Sequence, residues 1–341
     1  MHTHRKCVCL YLYLMKKSLY LLLAAVLFVG CHRDEKTDEP VTGPFVFFET
    51  RVGEAGTLPQ RDGEAFGVFG YLSSEDTLTN VFSDYEDRIA KVAWNAEDQA
   101  FSYEKLVEWS EGTYSFYAYY PYAYRNQDRL AVIENERSNT LHFVQPCELD
   151  EMTDFMTASV GAVSRTLEPV RLQFVPHLFC VDVVVINEDD MDSATPGITV
   201  LDAEIDFVGV PQSLDFDFES NGCDMSKETV RINADLFTAS SGFHLGSGME
   251  YNFTKELGSS FFLIPAKGIK YSIAIEYVGE DGEADIYTYP EDSDWAELGD
   301  VVKAGERYAI VINASSNTAH IFSASLVSDW EEKVDINNDF N

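Results

Sequence analysis

The chain has 341 residues, of which 45% are hydrophobic and 13% aromatic, and it contains six cysteines. Its 58 acidic and 24 basic residues give a net charge of −34 at pH 7. A field of this sign repels nucleic acid and anionic lipid head groups, so it argues against a phosphate-binding protein and against a basic membrane-contact patch.

The first segment of the chain resembles a bacterial lipoprotein signal. Two lysines, Lys16-Lys17, precede an apolar run over Leu19–Val29, and Gly30-Cys31 follows. The run is shorter than the roughly 20 residues that a spanning helix needs. We therefore expect a signal peptide over residues 1–30, cleavage before Cys31, and lipid on the Cys31 thiol. Because Met15 opens a compact signal of its own, we expect translation to start there.

The segment after Cys31 is charged and contains proline and glycine. We expect residues 31–44 to form a flexible tether between the lipid and the fold. Asp34-Glu35 resembles the acidic export signal of lipoproteins that reach the outer face of the outer membrane; an ordinary acidic linker is the alternative. The sequence thus predicts a protein at the outer membrane and cell surface.

From Phe45 onward, short segments rich in valine, isoleucine, phenylalanine and tyrosine alternate with turn-forming residues. Many have a period of two, which indicates half-buried strands. Many short strands at this spacing predict an all-β fold of antiparallel sandwiches, with one or two short helices, for example near Glu104–Trp109. The predicted strands are Phe45–Glu49, Ala65–Leu72, Ile89–Trp94, Thr113–Tyr120, Leu130–Ile133, Thr140–Val144, Phe155–Ser159, Val170–Phe174, Phe179–Ile186, Thr199–Val208, Leu214–Phe218, Val230–Ile232, Phe261–Ile264, Tyr271–Tyr277, Ile286–Tyr289, Tyr308–Asn313 and His320–Leu326.

The polar stretch Ser164–Pro169 separates two runs of predicted strands. The length after the tether allows two domains, each with its own core. We therefore expect an N-terminal β-sandwich over residues 45–166 and a C-terminal β-sandwich over residues 167–341. The strands Val170–Phe174 and Phe179–Ile186 are assigned to the second domain.

The sequence contains none of the common catalytic motifs: no GxSxG, HExxH, GxGxxG or phosphate-binding loop. His177 lies between apolar segments, which favours a core or sheet-edge histidine over a ligand or a base. Asp335–Asp339 has alternate oxygen ligands but lacks the glycine and the glutamate of a calcium loop. We expect no enzyme activity, no cofactor and no metal site.

Three cysteines follow Cys31 in the sequence: Cys147, Cys180 and Cys223. They could form at most one disulfide within the chain, and the sequence leaves their disulfide state open. The aromatic segment Tyr114–Tyr124 has two interpretations. It is a central strand whose rings fill the core, or a platform on which sugars stack, and we favour core packing.

Several patterns, in a consistent order along almost the whole chain, resemble the fimbrillin (Mfa-like) family of lipoprotein pilus subunits. The YSFYAYYPY segment followed by DFMTA and FxxHL is the most specific of them. The segments that carry the resemblance are Gly30-Cys31, Phe45–Arg51, Phe66–Tyr71, Tyr114–Tyr122, Asp154–Ala158, Val170–Leu178, Phe262–Pro265, Lys303–Tyr308 and Asp329-Trp330.

This resemblance implies two transthyretin-like β-sandwiches and assembly by strand donation. In that family, an extracellular Arg-specific protease removes the first strand, and the groove left behind accepts a strand from the next subunit, commonly its C-terminal segment. The implied cleavage site is Arg51, with Arg61 as the second candidate. The implied excised strand carries Phe45, Val46, Phe47 and Phe48, and the implied donor strand carries Ile321, Phe322, Ala324 and Leu326.

The leading hypothesis is therefore a non-enzymatic structural subunit of a cell-surface fimbrium. Its partners are other fimbrial subunits in a head-to-tail polymer, the Arg-specific protease, and the outer membrane through the lipid. The alternative is a surface lipoprotein that binds glycan or protein and does not polymerise. A glycan-degrading enzyme on a β-sandwich is a third class, which the missing catalytic motifs disfavour.

Overall fold

Alternating apolar and polar residues form strands throughout the part of the chain that the computed structural model describes. That part comprises residues 45–52, 58–75, 77–126, 129–134, 139–187, 197–278, 282–290, 295–298, 302–314 and 322–328. The chain divides into two compact units, Met1–Phe45 and Val46–Asn341, and only Phe45 of the first unit is described. The predicted signal peptide, the tether and Cys31 lie outside the described residues.

The all-β prediction is confirmed, because strands dominate the described residues. The two α-helices there are single turns, α1 (Ala123–Asn126) and α2 (Phe253–Leu257). No helix in the described ranges has the length and hydrophobicity needed to cross a membrane. The strands are β1 (Phe48–Val52), β2 (Ala65–Ser74), β3 (Thr77–Asn80), β4 (Ala90–Asn95), β5 (Ala100–Ser102), β6 (Thr113–Tyr120), β7 (Leu130–Glu134), β8 (Asn139–Val144), β9 (Met156–Val163), β10 (Val170–Pro176), β11 (Phe179–Asn187), β12 (Ile198–Pro211), β13 (Ser213–Asp217), β14 (Gly222–Met225), β15 (Thr229–Leu245), β16 (Glu250–Asn252), β17 (Phe261–Leu263), β18 (Lys270–Val278), β19 (Ala284–Tyr289), β20 (Ala296–Glu297), β21 (Arg307–Ala314) and β22 (Phe322–Ser328).

These strands form four sheets. An eight-stranded sheet has the order β1-β10-β9-β6-β2-β4-β5, with β3 paired to β2. Two five-stranded sheets have the orders β16-β11-β21-β22, with β17 on β11, and β15-β12-β18-β19, with β20 on β18. A four-stranded sheet has the order β14-β13-β8-β7. Most pairings are antiparallel, as predicted, but β1–β10 and β11–β21 are parallel.

Three main apolar cores hold these sheets together. The largest lies between the two five-stranded sheets, where the alternate residues of β11 face those of β12 and β18. A second core fills one face of the eight-stranded sheet and includes Phe48, Phe66 and Phe116. A third lies between the other face of that sheet and the four-stranded sheet, and joins Phe69 and Tyr119 to Phe143 and other residues. The central strands β2 and β6 of the eight-stranded sheet are thus covered on both faces.

Strand β6 confirms the core interpretation of the aromatic segment. Tyr114, Phe116, Tyr119, Tyr120 and Tyr124 are all at most 3% exposed. Two glycines of β2 make room for these rings: a Cβ atom on Gly67 would lie 2.3 Å from the Tyr119 ring, and one on Gly70 would lie 2.7 Å from Phe116. Glycine in a strand interior marks this kind of close approach.

The sheets cross the predicted domain boundary. The hairpin β13–β14, from the predicted second domain, pairs with β8 of the first. Strand β10 was assigned to the second domain, but it hydrogen-bonds to β9 and β1 in the eight-stranded sheet. The passage between the large sheets therefore falls at His177-Leu178, between β10 and β11. The division into two sandwich domains stays a prediction.

The helix expected near Glu104–Trp109 is wrong. Residues 103–109 are extended or bent rather than helical, and the carbonyl of Val107 accepts a hydrogen bond from the amide of Val46 at 2.8 Å. The competing interaction is a tertiary one, because this segment lies along the first strand. Periodicity within the segment carries no information about such a partner.

Candidate functional site

The first strand, β1, lies at the end of the eight-stranded sheet, where β10 is its strand neighbour. The two run parallel, with Phe48 opposite Val170 and Val52 opposite Phe174. An end strand presents one edge to whatever lies outside the sheet and is held by one row of ladder hydrogen bonds. Over Phe48–Val52, it can therefore leave the sheet with the loss of a single strand pairing.

The inner face of this strand is nevertheless part of the core. Val46, Phe48 and Thr50 alternate along it and are 0, 5 and 3% exposed. The centroid of the Phe48 ring lies 5.3 Å from that of Phe116 and 6.4 Å from that of Phe66, both in edge-to-face geometry. Removing a buried phenylalanine side chain leaves a cavity that typically costs about 3–5 kcal/mol. Loss of the strand would open a hole in the second core.

The first strand begins and ends a few residues later in the sequence than predicted. Val46 is buried and Phe45 and Phe47 are half-buried, but the regular ladder begins at Phe48. It also continues past the predicted end, because Arg51 lies opposite Gln173. Arg51 is thus within the strand rather than after it.

The Arg51 side chain is half-exposed and ion-paired. Its Nε and Nη2 atoms donate to Oε1 of Glu49 at 3.0 and 2.7 Å. The other Glu49 oxygen lies 3.6 Å from the Arg171 guanidinium. The Arg51 side chain is 40% exposed. Such surface pairs contribute up to about 1 kcal/mol, so this pairing restrains the guanidinium only weakly.

Arg61 has a different setting. It is exposed and precedes β2 in a turn, where its carbonyl accepts the amide of Glu64 at 3.0 Å. Gly63 in this turn has φ +92°, a conformation that glycine adopts without strain. Arg61 is therefore the more accessible of the two predicted cleavage sites.

The predicted donor strand corresponds to β22. It pairs antiparallel with β21, so that Phe322 lies opposite Ala314, Ala324 opposite Ile312, and Leu326 opposite Ile310. Ile321 lies outside the described residues. Strand β22 ends the sheet order β16-β11-β21-β22, which makes it an end strand like β1.

The three cysteines that follow Cys31 in the sequence are all free. Cys147 is half-buried, Cys180 is buried and Cys223 is exposed. Burial raises the pKa of each of these thiols, so the pKa shifts do not favour reactive thiolates.

The histidine at the passage between the sheets, His177, is buried, which confirms the core interpretation. Its Nε2 atom lies 2.7 Å from Oγ1 of Thr157, and Nδ1 lies 3.6 Å from Sγ of Cys223. Burial lowers the pKa of His177 to about 4, so the imidazole is neutral at pH 7. The imidazole therefore packs as an uncharged group at the passage between β10 and β11.

The half-buried carboxylate of Asp154 and the buried one of Asp182 were missed by sequence reasoning, because neither lies in a catalytic motif. Burial raises the pKa of Asp154 to about 7, although the amides of Leu178 and Phe155 donate to it. Asp182 is 1% exposed on β11, and its Oδ2 accepts a hydrogen bond from Nε of Arg307 at 2.6 Å. Both carboxylates join segments that are distant in sequence, which a local pattern cannot reveal.

None of these groups forms a catalytic constellation. Within the described ranges, no three histidine, cysteine, aspartate or glutamate side chains are arranged to hold a metal ion. The pair His142–Asp215, with Nδ1 2.6 Å from Oδ1, crosses from β8 to β13 and links two strands of one sheet. The geometry that stands out is therefore the end strand β1, not a cleft.

The sequence pattern of the fimbrillin-like family matches residues 50–330. The chain belongs to the fimbrillin-like family. Among solved structures, a fimbrial protein from Bacteroides vulgatus ATCC 8482 is similar in fold, with a TM-score of 0.55 at 14% identity over 83% of this chain and 99% of that one. A Bacteroides uniformis ATCC 8492 protein assigned to cell adhesion gives a TM-score of 0.48 at 17% identity over 84% of this chain and 97% of that one. No curated protein matches the chain.

Membership of the fimbrillin-like family confirms the resemblance drawn from the sequence. It supports a structural role in fimbriae or adhesion at the cell surface, and assembly with other fimbrial subunits. A family of this kind implies a structural protein rather than an enzyme.

Proposed function

We propose that this fimbrillin-like chain is a structural subunit of a cell-surface fimbrium that polymerises when its first strand is removed and replaced. The observation that carries the proposal is the position of β1. It is an end strand, yet it supplies Phe48 to the core; Arg51 lies within it and Arg61 follows it. One backbone cut would separate this strand from the rest of the sheet.

The physical consequence of losing the strand supports polymerisation. The edge of β10 would lose its partner, and the pocket beside Phe116 and Phe66 would open to water. Exposed edges and apolar grooves of this kind bind added strands, whose backbone supplies hydrogen bonds and whose alternate side chains fill pockets. A joint in which one end of a subunit fills the other end of its neighbour is head-to-tail and grows a filament.

The incoming strand in this proposal is β22 of a second copy, as the resemblance implies. It has the length for the slot, with seven residues against the five of β1. Phe322, Ala324 and Leu326 occupy alternate positions, as Val46, Phe48 and Thr50 do in the first strand. To be donated, β22 must exchange its pairing with β21 for pairing with β10 of the next subunit.

The two arginines differ in access, and this difference favours cleavage after Arg61. A protease binds its substrate as an extended chain, but Arg51 is already hydrogen-bonded into the sheet beside Gln173. Cleavage there requires local opening of β1, whereas Arg61 is exposed in a turn. A cut after Arg61 would also release Leu58, which is 1% exposed.

Export as a lipoprotein is the remaining part of the proposal. Cys31 would carry the lipid and hold the chain at the outer membrane until cleavage releases it. Because the chain is strongly acidic, the acyl chains would have to provide this membrane contact. Metabolic labelling with a palmitate analogue tests this: we expect label on the intact chain and none on a Cys31→Ser variant. Equal labelling of both would contradict the lipid site.

The processing step is tested on the chain that starts at residue 32. It is incubated under native conditions with an Arg-specific protease, and intact masses are recorded over time. We expect a product that starts at Asp62, formed more slowly by at least tenfold in Arg61→Gln and at an unchanged rate in Arg51→Gln. A chain that remains uncut at both arginines would contradict the proposal and would favour a non-polymerising binding protein.

A further inference from the structure

The outer edge of the first strand is not bare along its whole length. Residues Tyr103–Trp109, which we name the strap, lie against it at Val46. The Val46 amide donates to the Val107 carbonyl at 2.8 Å, on the edge opposite Phe47, whose carbonyl accepts the amide of Val170 of β10 at 2.7 Å. Because amide and carbonyl groups of successive strand residues point to opposite edges, the strand is held on two sides here.

A tyrosine hydroxyl completes this pairing. The Tyr103 hydroxyl donates to the carbonyl of Val46 and accepts the amide of Val107 at 3.4 Å. It therefore stands between two backbone groups that would otherwise bond directly in a strand pair. Val46 is fully buried, so an unpaired carbonyl there would be costly. The Tyr103 ring also packs 6.0 Å from that of Phe48.

The strap has its own anchors, which do not depend on the first strand. Trp109 is 6% exposed, and its ring lies 4.7 Å from that of Tyr114. The amide and carbonyl of Lys105 both bond the Tyr85 hydroxyl, at 2.6 and 2.8 Å. The Lys105 ammonium donates to the carbonyl of Asp84 at 2.9 Å. These contacts would remain if the first strand were removed.

We infer that the strap is the second wall of the first-strand slot and that it binds the strand of a second copy of this chain. This rests on the proposed function, in which the first strand is removed. With that strand gone, the Val107 carbonyl and the Tyr103 hydroxyl face the slot from one side and β10 faces it from the other. An incoming strand then forms hydrogen bonds on both edges at this position, which fixes its register.

The first test is hydrogen exchange on the intact chain from residue 32. Tyr103→Phe keeps the ring beside Phe48 and removes the bridging oxygen. We expect the amides in peptides covering residues 45–52 and 103–109 to exchange about tenfold faster, since the buried Val46 carbonyl and the half-buried Val107 amide lose a partner. Tyr120→Phe is the matched control, because it is also a buried tyrosine of the same core and its hydroxyl bonds Glu64 instead.

Lys105→Ala provides a second variant that leaves the core untouched. It removes an exposed anchor of the strap, and we expect about twofold faster exchange in the same two peptides. Unchanged exchange in both Tyr103→Phe and Lys105→Ala would overturn the inference that the strap holds the first strand, whether or not the protease cuts the chain. Acceleration spread evenly over all sheets in Tyr103→Phe would overturn it as well, because it would report global destabilisation.

The second test addresses strand binding in the emptied slot, with the first strand's own sequence as the probe. After cleavage, a labelled peptide with the sequence of residues 45–61 is exchanged into the slot, and its dissociation is followed with unlabelled peptide in excess. We expect about tenfold faster dissociation from Tyr103→Phe than from Tyr120→Phe. Equal dissociation rates would overturn the role of the strap in strand acceptance. If wild-type chain is never cut, the proposed function fails while the exchange data still decide whether the strap holds the first strand.

Discussion

The first and last strands of this fimbrillin-like chain, β1 and β22, both lie at the end of a sheet, but they are held differently. Strand β1 pairs in parallel with β10, which lies far along the chain. Strand β22 pairs antiparallel with β21, the strand just before it. Parallel pairing is slightly weaker per residue, and the contact of β1 is entirely non-local. A single backbone cut therefore suffices to make β1 an independent peptide, whereas β22 must leave a local partner to be donated.

The first strand contributes Val46 and Phe48 to a core, and the strap lies against one end of it. Arg51 lies within the strand and Arg61 follows it. This combination is unusual for an expendable segment. In the proposed function, the slot left by this strand is unstable when empty and stable when filled by a strand.

The largest expected effect is at the inner face of the first strand. Phe48→Ala removes a ring that contacts Phe116 and Phe66, and we expect a loss of about 3–5 kcal/mol in the free energy of unfolding. Urea denaturation followed by tryptophan fluorescence measures it. Val175→Ala on the exposed face of β10, where Val175 is 53% exposed, is the control and should change stability by less than about 0.5 kcal/mol. Equal effects would mean that the first strand is not part of the core.

The next largest effect concerns Asp154, which lies near the passage from the eight-stranded sheet to the sheet of β11. Asp154 has a folded-state pKa of about 7, above its ordinary value, so its folded form keeps a proton that the unfolded form loses. Stability from this group is present at low pH and falls as the pH rises from about 4 to about 7. Asp154→Asn removes this loss, and we expect it to raise stability relative to wild type by roughly 2 to 4 kcal/mol more at pH 8 than at pH 4.

His177 acts in the opposite direction over much of this range. Its pKa is about 4 when folded, below its ordinary value, so stability from this group rises between about pH 4 and pH 6.5. In wild type the two slopes offset each other, and in Asp154→Asn the rising slope remains. Urea midpoints at several pH values separate the two groups. A difference between Asp154→Asn and wild type that does not change with pH would show that Asp154 is not buried as described.

A smaller effect is expected in the sheet that ends with β22. Asp182→Ala removes the acceptor of Arg307 and of the Ser260 hydroxyl, which donates at 2.6 Å. Because the Arg307 side chain is 46% exposed, it is not left as a fully buried charge, and we expect a loss of about 2 kcal/mol. Differential scanning calorimetry measures this loss. The first-strand peptide should dissociate at an unchanged rate; faster dissociation would show that the two end strands are coupled.

The smallest effect concerns the ion pair on β1 itself. Glu49→Gln frees the Arg51 guanidinium without changing the inner face of the strand. A surface pair of this kind is worth up to about 1 kcal/mol, so cleavage after Arg51 should become at most about fivefold faster. Mass spectrometry of the fragments, with cleavage after Arg61 as the internal reference, measures the ratio. A slower cut at Arg51 would contradict the view that the pair protects it.

Much of the fold was accessible from the sequence because its strands alternate clearly. Thr113–Tyr120 was predicted with the bounds that the structure has, and the burial of Tyr114 and Phe116 follows from the period of two. The strand predicted at Val230–Ile232 is instead β15, which spans Thr229–Leu245. Its register shifts against β12 break the alternation on which the prediction relied.

The long-range features were not accessible. The parallel partner of β1, the pairing of β13 with β8, and the strap at Val107 all depend on residues far apart in sequence. The predicted helix at Glu104–Trp109 failed for the same reason. Candidate residues of the first strand could be named from their resemblance to a family, but the hydroxyl of Tyr103 between two backbones has no sequence signature.

The most direct test of the account is assembly after cleavage. The chain from residue 32 is incubated with an Arg-specific protease, and the product is analysed by intact mass and by unheated gel electrophoresis. The account predicts a product that has lost its first strand and a ladder of denaturant-resistant oligomers, absent when excess peptide of residues 45–61 is present. A chain that loses the first strand and stays monomeric, or that is never cut, would contradict it.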